Sequence, residues 1–291
     1  MFNNFKKSIA KVNNVNINYI IGGTGPPILL LHGYPQTHVM WHKIAESLAE
    51  HFTVVISDLR GYGDSSKPPS TETHYPYSKR EIGKDQVELM KSLGFDSFQL
   101  AGHDRGARVG HRIALDYPTA IEKIVTMDIA PTYIMYTTTD MEFANAYYHW
   151  FFLIQPYNIP ETLIGGNPKY YLKKKFGQWG RDSKAFTVEA FNEYLRCFTP
   201  ETIHASCEDY RASASIDIEH DQVDIDNGNK IQCPMLCLWG NNGFVGRKYD
   251  VVKEWRKWAT DVQGFGIDCG HYLPEEAPKK TLEALLDFLN K

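Results

Sequence analysis

The chain has 291 residues with a formal net charge of −4; 43% of its residues are hydrophobic and 23% charged. That composition excludes disorder and suits a globular chain long enough for one large core carrying an inserted subdomain. The mild negative charge gives no reason to expect nucleic acid or an anionic membrane surface as a partner, so any anion-binding site has to be made by local cations.

The opening stretch MFNNFKKSIAKVNN lacks the apolar run of a secretory signal, and no segment approaches the ~18 apolar residues of a membrane span, so a cytoplasmic location is expected. Ser8–Val12 and Val15–Ile21 read as a hairpin about Asn13-Asn14. Ile28–Leu31 reads as a buried strand running into His32-Gly33-Tyr34-Pro35, and Trp41–Glu50 as a helix. Thr53–Ile56 is the next strand; Asp58-Leu59-Arg60-Gly61-Tyr62-Gly63-Asp64-Ser65 follows as a structural loop, because Asp58 precedes the candidate nucleophile in the chain. Lys79–Ser92 has helical periodicity. Strand Phe98–Ala101 leads through Gly102-His103-Asp104-Arg105-Gly106 into a helix over Arg105–Tyr117, and strand Ile124–Met127 ends at Asp128.

The alternation stops near Tyr133 and resumes near Pro234. The stretch between is aromatic-rich and helical in pattern, including YYHWFFLI (147–154), and reads as a helical cap over 133–225, with 1–132 and 226–291 forming the core domain. Met235–Leu238 and Thr260–Ile267 complete the strands, and Pro274–Asn290 reads as a terminal amphipathic helix. Strand and helix in alternation imply an α/β fold: a mostly parallel sheet flanked by helices, with the cap inserted. The five cysteines are odd in number and form no CxxC pair, so they read as reduced, small buried hydrophobes. No HExxH, Walker loop or GxGxxG is present, and no metal or other cofactor is expected.

G-x-Nu-x-G between a strand and a helix is the frame of a nucleophile elbow, here with Asp104 in place of the commoner serine. The alternative is an ordinary glycine-rich turn. The Tyr34 and Arg105 backbone N–H groups stand where an oxyanion hole forms. His271, in Cys269-Gly270-His271-Tyr272-Leu273-Pro274 after the last strand, is the candidate base among eleven histidines. The acid that orients it is less obvious. The loop Trp239–Gly246 has no carboxylate, which leaves Asp128; its other reading is a cap for the next turn.

HGYPQT (32–37), DLRGYGDS (58–65), GHDRGAR (102–108), DIAPT (128–132), YHWFFLIQP (148–156), CEDYRA (207–212) and CGHYLPEEAP (269–278) together resemble the fluoroacetate/haloacetate dehalogenase branch of the α/β-hydrolase superfamily, over nearly the whole chain. The resemblance implies that Arg105 and Arg108 bind a substrate carboxylate, that His149, Trp150 and Tyr210 hold the leaving halide, that Trp179 lines the pocket, and that the chain is a homodimer with a small haloacid as its substrate. Ala107 departs from a glycine usual in that family. The chemistry agrees: an anionic substrate repels Asp104 unless cations intervene, and the arginine fork suits a carboxylate. Ring N–H and phenol donors can stabilise a departing halide. Arg112, one turn on, reads as structural. The rival functions are an epoxide hydrolase with the same nucleophile and a non-catalytic ligand-binding protein on this fold.

Overall fold

The computed structural model describes residues 1–180 and 183–291. Eight strands form one sheet: β1 (Lys6–Val12), β2 (Val15–Gly22), β3 (Pro27–Leu31), β4 (Thr53–Ser57), β5 (Phe98–His103), β6 (Ile121–Met127), β7 (Met235–Gly240) and β8 (Val262–Ile267). Their order is β1-β2-β4-β3-β5-β6-β7-β8. β1 and β2 pair antiparallel, as do β2 and β4; from β4 to β8 every pairing is parallel. Asn13 and Asn14 take positive φ (45° and 62°), the geometry of a two-residue hairpin turn.

Parallel strands buried on both faces need unbroken apolar runs. Alternate residues go to opposite faces. Ile28, Leu30, Val54, Ile56, Val125 and Leu236 pack with Leu285, Phe288 and Leu289 of the terminal helix, while Leu29, Leu31, Val55, Leu100 and Ile124 pack with Ile82, Val109 and Ile113 on the other side. The helices of the core are α1 (Ala45–Ala49), α2 (Lys79–Ser92) and α3 (Arg105–Asp116).

Between β6 and β7 the chain forms α4 (Thr132–Thr137), α5 (Met141–Ala146), α6 (His149–Phe152), α7 (Ile159–Gly165), α8 (Pro168–Trp179), α9 (Val188–Cys197), α10 (Pro200–Ser213) and α11 (Ile216–Asn227). The last of these runs two residues beyond the expected edge at 225 and stops at Gly228, whose φ of +67° suits a helix C-terminus. After β7 come α12 (Phe244–Lys248) and α13 (Val251–Trp255), and after β8 come α14 (Leu273–Glu276) and α15 (Pro278–Leu289).

Two helices differ from expectation. In place of a helix over 41–50, a 3-10 turn (His38–Trp41) is followed by only the short α1. Asp58 Oδ1 accepts from both the backbone and the ring Nδ1 of His38, each at 2.8 Å, which ties this stretch to the loop after β4 and delays the helix. The terminal helix is split at Ala277, whose φ of −132° is the extended value favoured before a proline. All five cysteines are free, four of them buried. Among the described residues no helix is long and apolar enough to cross a membrane.

Candidate active site

Register places the carboxyl ends of the central strands side by side: Leu31 opposite Gly102, His103 opposite Met127, Met127 opposite Leu238. The loops that follow therefore converge on one edge of the sheet, where sites of open α/β sheets form. The elbow is tight. A Cβ on Gly102 would lie 2.6 Å from the Gly106 carbonyl, and one on Gly106 2.5 Å from that of His32. Asp104 itself sits at φ 47°, ψ −114°, a conformation costing roughly 1–3 kcal/mol that the surrounding fold imposes.

The Tyr34 N–H donates to Asp104 Oδ1 at 2.9 Å, and His271 Nε2 faces Oδ2 at 3.8 Å. The Arg105 N–H opens α3, where an amide has no partner within the helix. His271 Nδ1 meets Asp128 Oδ2 at 2.6 Å, and the other Asp128 oxygen accepts from the Gly240 N–H at 2.9 Å. Asp128 thus contacts the His271 ring and does not cap the next helix; α4 begins after Pro131. The three residues expected to act together are brought together.

Burial alone would raise the Asp104 carboxyl, but His271, Arg105 and Arg108 outweigh it and hold the group below the ordinary carboxylate range. Burial would likewise lower His271; its hydrogen bond to Asp128 and the charges of Asp128 and Asp104 prevail, and the imidazole is held above its usual value. The neighbouring His103 is pushed down to about 3, first by burial and then by His271, and as a neutral ring it donates from Nε2 to the His271 carbonyl at 2.8 Å.

The two arginines lie beside Asp104 but are not the pair of open forks expected. Arg105 spends Nε and Nη2 on Asp209 (2.8 Å each) and Nη2 also on Ser213 Oγ (2.5 Å), leaving Nη1 without a partner. Asp209 also accepts from the Tyr62 hydroxyl at 2.7 Å and pairs with Lys79. Arg108 donates from Nη1 to the Ala130 carbonyl (3.0 Å) and Thr132 Oγ1 (2.9 Å), and from Nη2 to Met135 Sδ (3.1 Å); its Nε has no partner. Among the described residues no carboxylate pairs with Arg108. Burial, and then the charge of Arg105, lower its pKa. Each arginine therefore has one nitrogen without a partner, Nη1 of Arg105 and Nε of Arg108. Asp209 was missed by sequence reasoning, although it stands next to Tyr210 in CEDYRA. Ala107 is fully buried in the place where a glycine was expected, and Arg112 pairs with Asp116, Asp221 and Asp224, a structural role.

Above these groups the helical insertion presents an aromatic shell. The Arg105 guanidinium carbon lies 4.1 Å from the centre of the Tyr210 ring, and that of Arg108 4.8 Å from Trp150. His149 stands 5.6 Å from Tyr210 and 4.4 Å from Trp179, which in turn is 5.6 Å from His271, centre to centre. Burial and then the charge of Lys175 hold His149 well below its usual pKa, so it is a neutral ring. A cavity of about 210 Å³ reaches His271 between Tyr147, Trp179, Phe244 and Arg247.

This arrangement sets a carboxylate, a histidine held by a second carboxylate, a backbone N–H on the first carboxylate and buried positive charge side by side. Residues 26–278 match the family model described as alpha/beta hydrolase fold. The chain is 41% identical over 292 residues to a fluoroacetate dehalogenase of Burkholderia sp, covering 100% of this chain and 95% of that protein. It is 31% identical to a soluble epoxide hydrolase of Corynebacterium sp. (strain C12), covering 96% of this chain and 95% of that one. The crystal structure of a candidate α/β hydrolase from Nostoc sp PCC 7120 superposes with a TM-score of 0.98 at 59% identity, over 99% of both chains.

Proposed function

Since the chain belongs to the α/β-hydrolase fold family, in its fluoroacetate dehalogenase branch, we propose that it hydrolyses the carbon–halogen bond of a small haloacetate, fluoroacetate or chloroacetate, to glycolate and halide. The observation that carries this reading is Arg108: a buried guanidinium that feels the charge of Asp104 but, among the described residues, makes no direct pair with any carboxylate and keeps its Nε unbonded. A buried unpaired charge is costly, and a substrate carboxylate balances it where a neutral epoxide does not.

The roles follow from the two faces of the Asp104 carboxylate. Oδ1 is held by the Tyr34 N–H, so Oδ2 attacks the substrate carbon in line; the carbon–halogen bond breaks and its electron pair leaves with the halide. His149, Trp150 and Tyr210 donate to that halide. The resulting ester keeps Oδ1 as its carbonyl oxygen, already in the hole of the Tyr34 and Arg105 N–H groups. His271 Nε2 takes a proton from water, which attacks the Asp104 carbonyl carbon, and Asp128 stabilises the imidazolium. The tetrahedral intermediate collapses to glycolate and regenerated Asp104. The insertion over 133–225 serves as the cap that closes this site and excludes water from the first step.

The test offers pure enzyme fluoroacetate, chloroacetate and styrene oxide, with free halide and diol measured. Halide from the acids, none from Asp104→Ala, and no diol is the expected result. Diol without halide would move the chain to the epoxide hydrolases, and neither product would leave a ligand-binding role. A single turnover in ¹⁸O-water should place the label in the Asp104 peptide and not in glycolate; label in glycolate would mean direct attack by water.

A further inference from the structure

Lys175, on α8, is fully buried, and its Nζ has no hydrogen-bond partner. The nitrogen lies among three aromatic faces, 3.9 Å from the centre of the Tyr148 ring, 4.8 Å from Trp179 and 5.4 Å from Tyr171. Ring faces attract an ammonium without neutralising it. Among the described residues no carboxylate pairs with Lys175, and burial pushes its pKa down to about 7. Two other nitrogens around the same indole also lack partners: Nδ1 of His149 and Nε1 of Trp179 itself. Lys175 is the foremost charge acting on His149. Three buried nitrogens without acceptors, one of them a cation site, thus surround Trp179. Buried polar groups are ordinarily satisfied, and a group of such exceptions calls for a ligand. What would satisfy all three is a small anion that accepts from several directions.

We propose that Lys175, His149 Nδ1 and Trp179 Nε1 form a second anion site that takes a halide. The origin of that halide rests on the dehalogenation reading: His149 borders both the leaving-group site and this one, so the released ion passes behind the indole. A neutral imidazole carries one ring proton and so serves one of the two positions at a time. Trp179 also lines the cavity that opens at His271, with Tyr147, Gln178 and Arg247. An ion at Lys175 is therefore one side chain from the cavity mouth.

The experiment titrates the whole protein with sodium chloride at constant ionic strength and reads the ³⁵Cl NMR line broadening caused by bound chloride. Wild type should broaden the line. Lys175→Met should lower the excess broadening at least threefold, and Lys175→Arg should keep most of it. Trp179→Phe removes one donor but keeps a ring; it should lower the broadening too, and it decides the matter if Lys175→Met does not fold. Wild-type broadening in the folded methionine or phenylalanine variant overturns the site. Displacement of chloride by an equal concentration of sodium acetate overturns the assignment to halide and makes the site one for carboxylates. Halide release from chloroacetate is assayed on the same preparations. Lys175-dependent chloride binding without any halide release keeps this site and removes the dehalogenase reading; the converse result removes this site alone.

Discussion

Asp128 meets His271 with one oxygen and the Gly240 N–H with the other, so it is fixed from two sides and can only orient the ring or hold its proton. Because this contact holds the His271 imidazole above its ordinary pKa, and because only the neutral ring accepts a proton, kcat should rise with pH through a value above the usual ~6.5 and then level. Asp128→Asn removes the main group raising that pKa. Its rising limb should move to lower pH while its plateau falls, as a kcat profile over roughly pH 5–9 will show. An unmoved limb would mean that another group titrates. His271→Asn should alkylate once and stop, leaving a carboxymethyl ester seen as one adduct by intact-protein mass spectrometry and located on the Asp104 peptide after digestion; turnover without an adduct would remove the base assignment. Arg108→Leu tests the carboxylate contact. Losing a buried charged partner costs ~2–5 kcal/mol, about tenfold per 1.4 kcal/mol, so kcat/KM for chloroacetate should fall by about thirtyfold to several-thousandfold. Chloroacetamide, which is uncharged, should lose far less; equal loss on both would make Arg108 a support of the fold.

The strands were legible because each is a short continuous apolar run, which only a sheet covered on both faces can bury. Residues 41–50 were legible only in part, because Asp58 binds His38 at the head of a 3-10 turn and the α-helix starts only at Ala45, a contact across the fold that no local periodicity records. The same holds within α3. Asp104 and Arg105 were readable from the elbow frame, whereas the partner that occupies most of Arg105 is Asp209, on α10 in the insertion. Among the insertion helices, α6 and α10 carry the donors proposed for the halide. Fluoride is the strongest hydrogen-bond acceptor and poorest leaving group among the halides, so Trp150→Phe and Tyr210→Phe should lower the ratio of kcat/KM for fluoroacetate over chloroacetate; an unchanged ratio in both would make these rings packing alone. On α3, Gly106→Ala forces a Cβ onto the Leu31 and His32 backbone, 2.5–2.6 Å away, and overpacking of that kind typically costs ~1–3 kcal/mol. Thermal melting should show a lowered Tm even in the absence of substrate.

Over the whole molecule, the core supplies Asp104, Asp128 and His271, and the insertion supplies His149, Trp150, Trp179 and Tyr210. The His271 N–H donates to the Trp179 carbonyl at 3.0 Å, and the Tyr194 hydroxyl of α9 donates to Glu275 Oε1 at 3.0 Å, so the insertion grips the histidine loop directly. The insertion also exposes Met141, Tyr157, Leu163, Tyr170 and Val188, and the homodimer implied by the resemblance is open to direct test. Sedimentation should return about twice the 33.3 kDa chain mass, and a monomer would refute that expectation. The position of the insertion also matters during synthesis. Asp104 and Asp128 leave the ribosome before the insertion, and His271 only after it and two further strands. On the proposed mechanism, a product truncated before His271 would hold Asp104 with no means of clearing its ester. Such fragments would be single-use, and the last residues made would be the ones that turn an alkylation target into a catalyst.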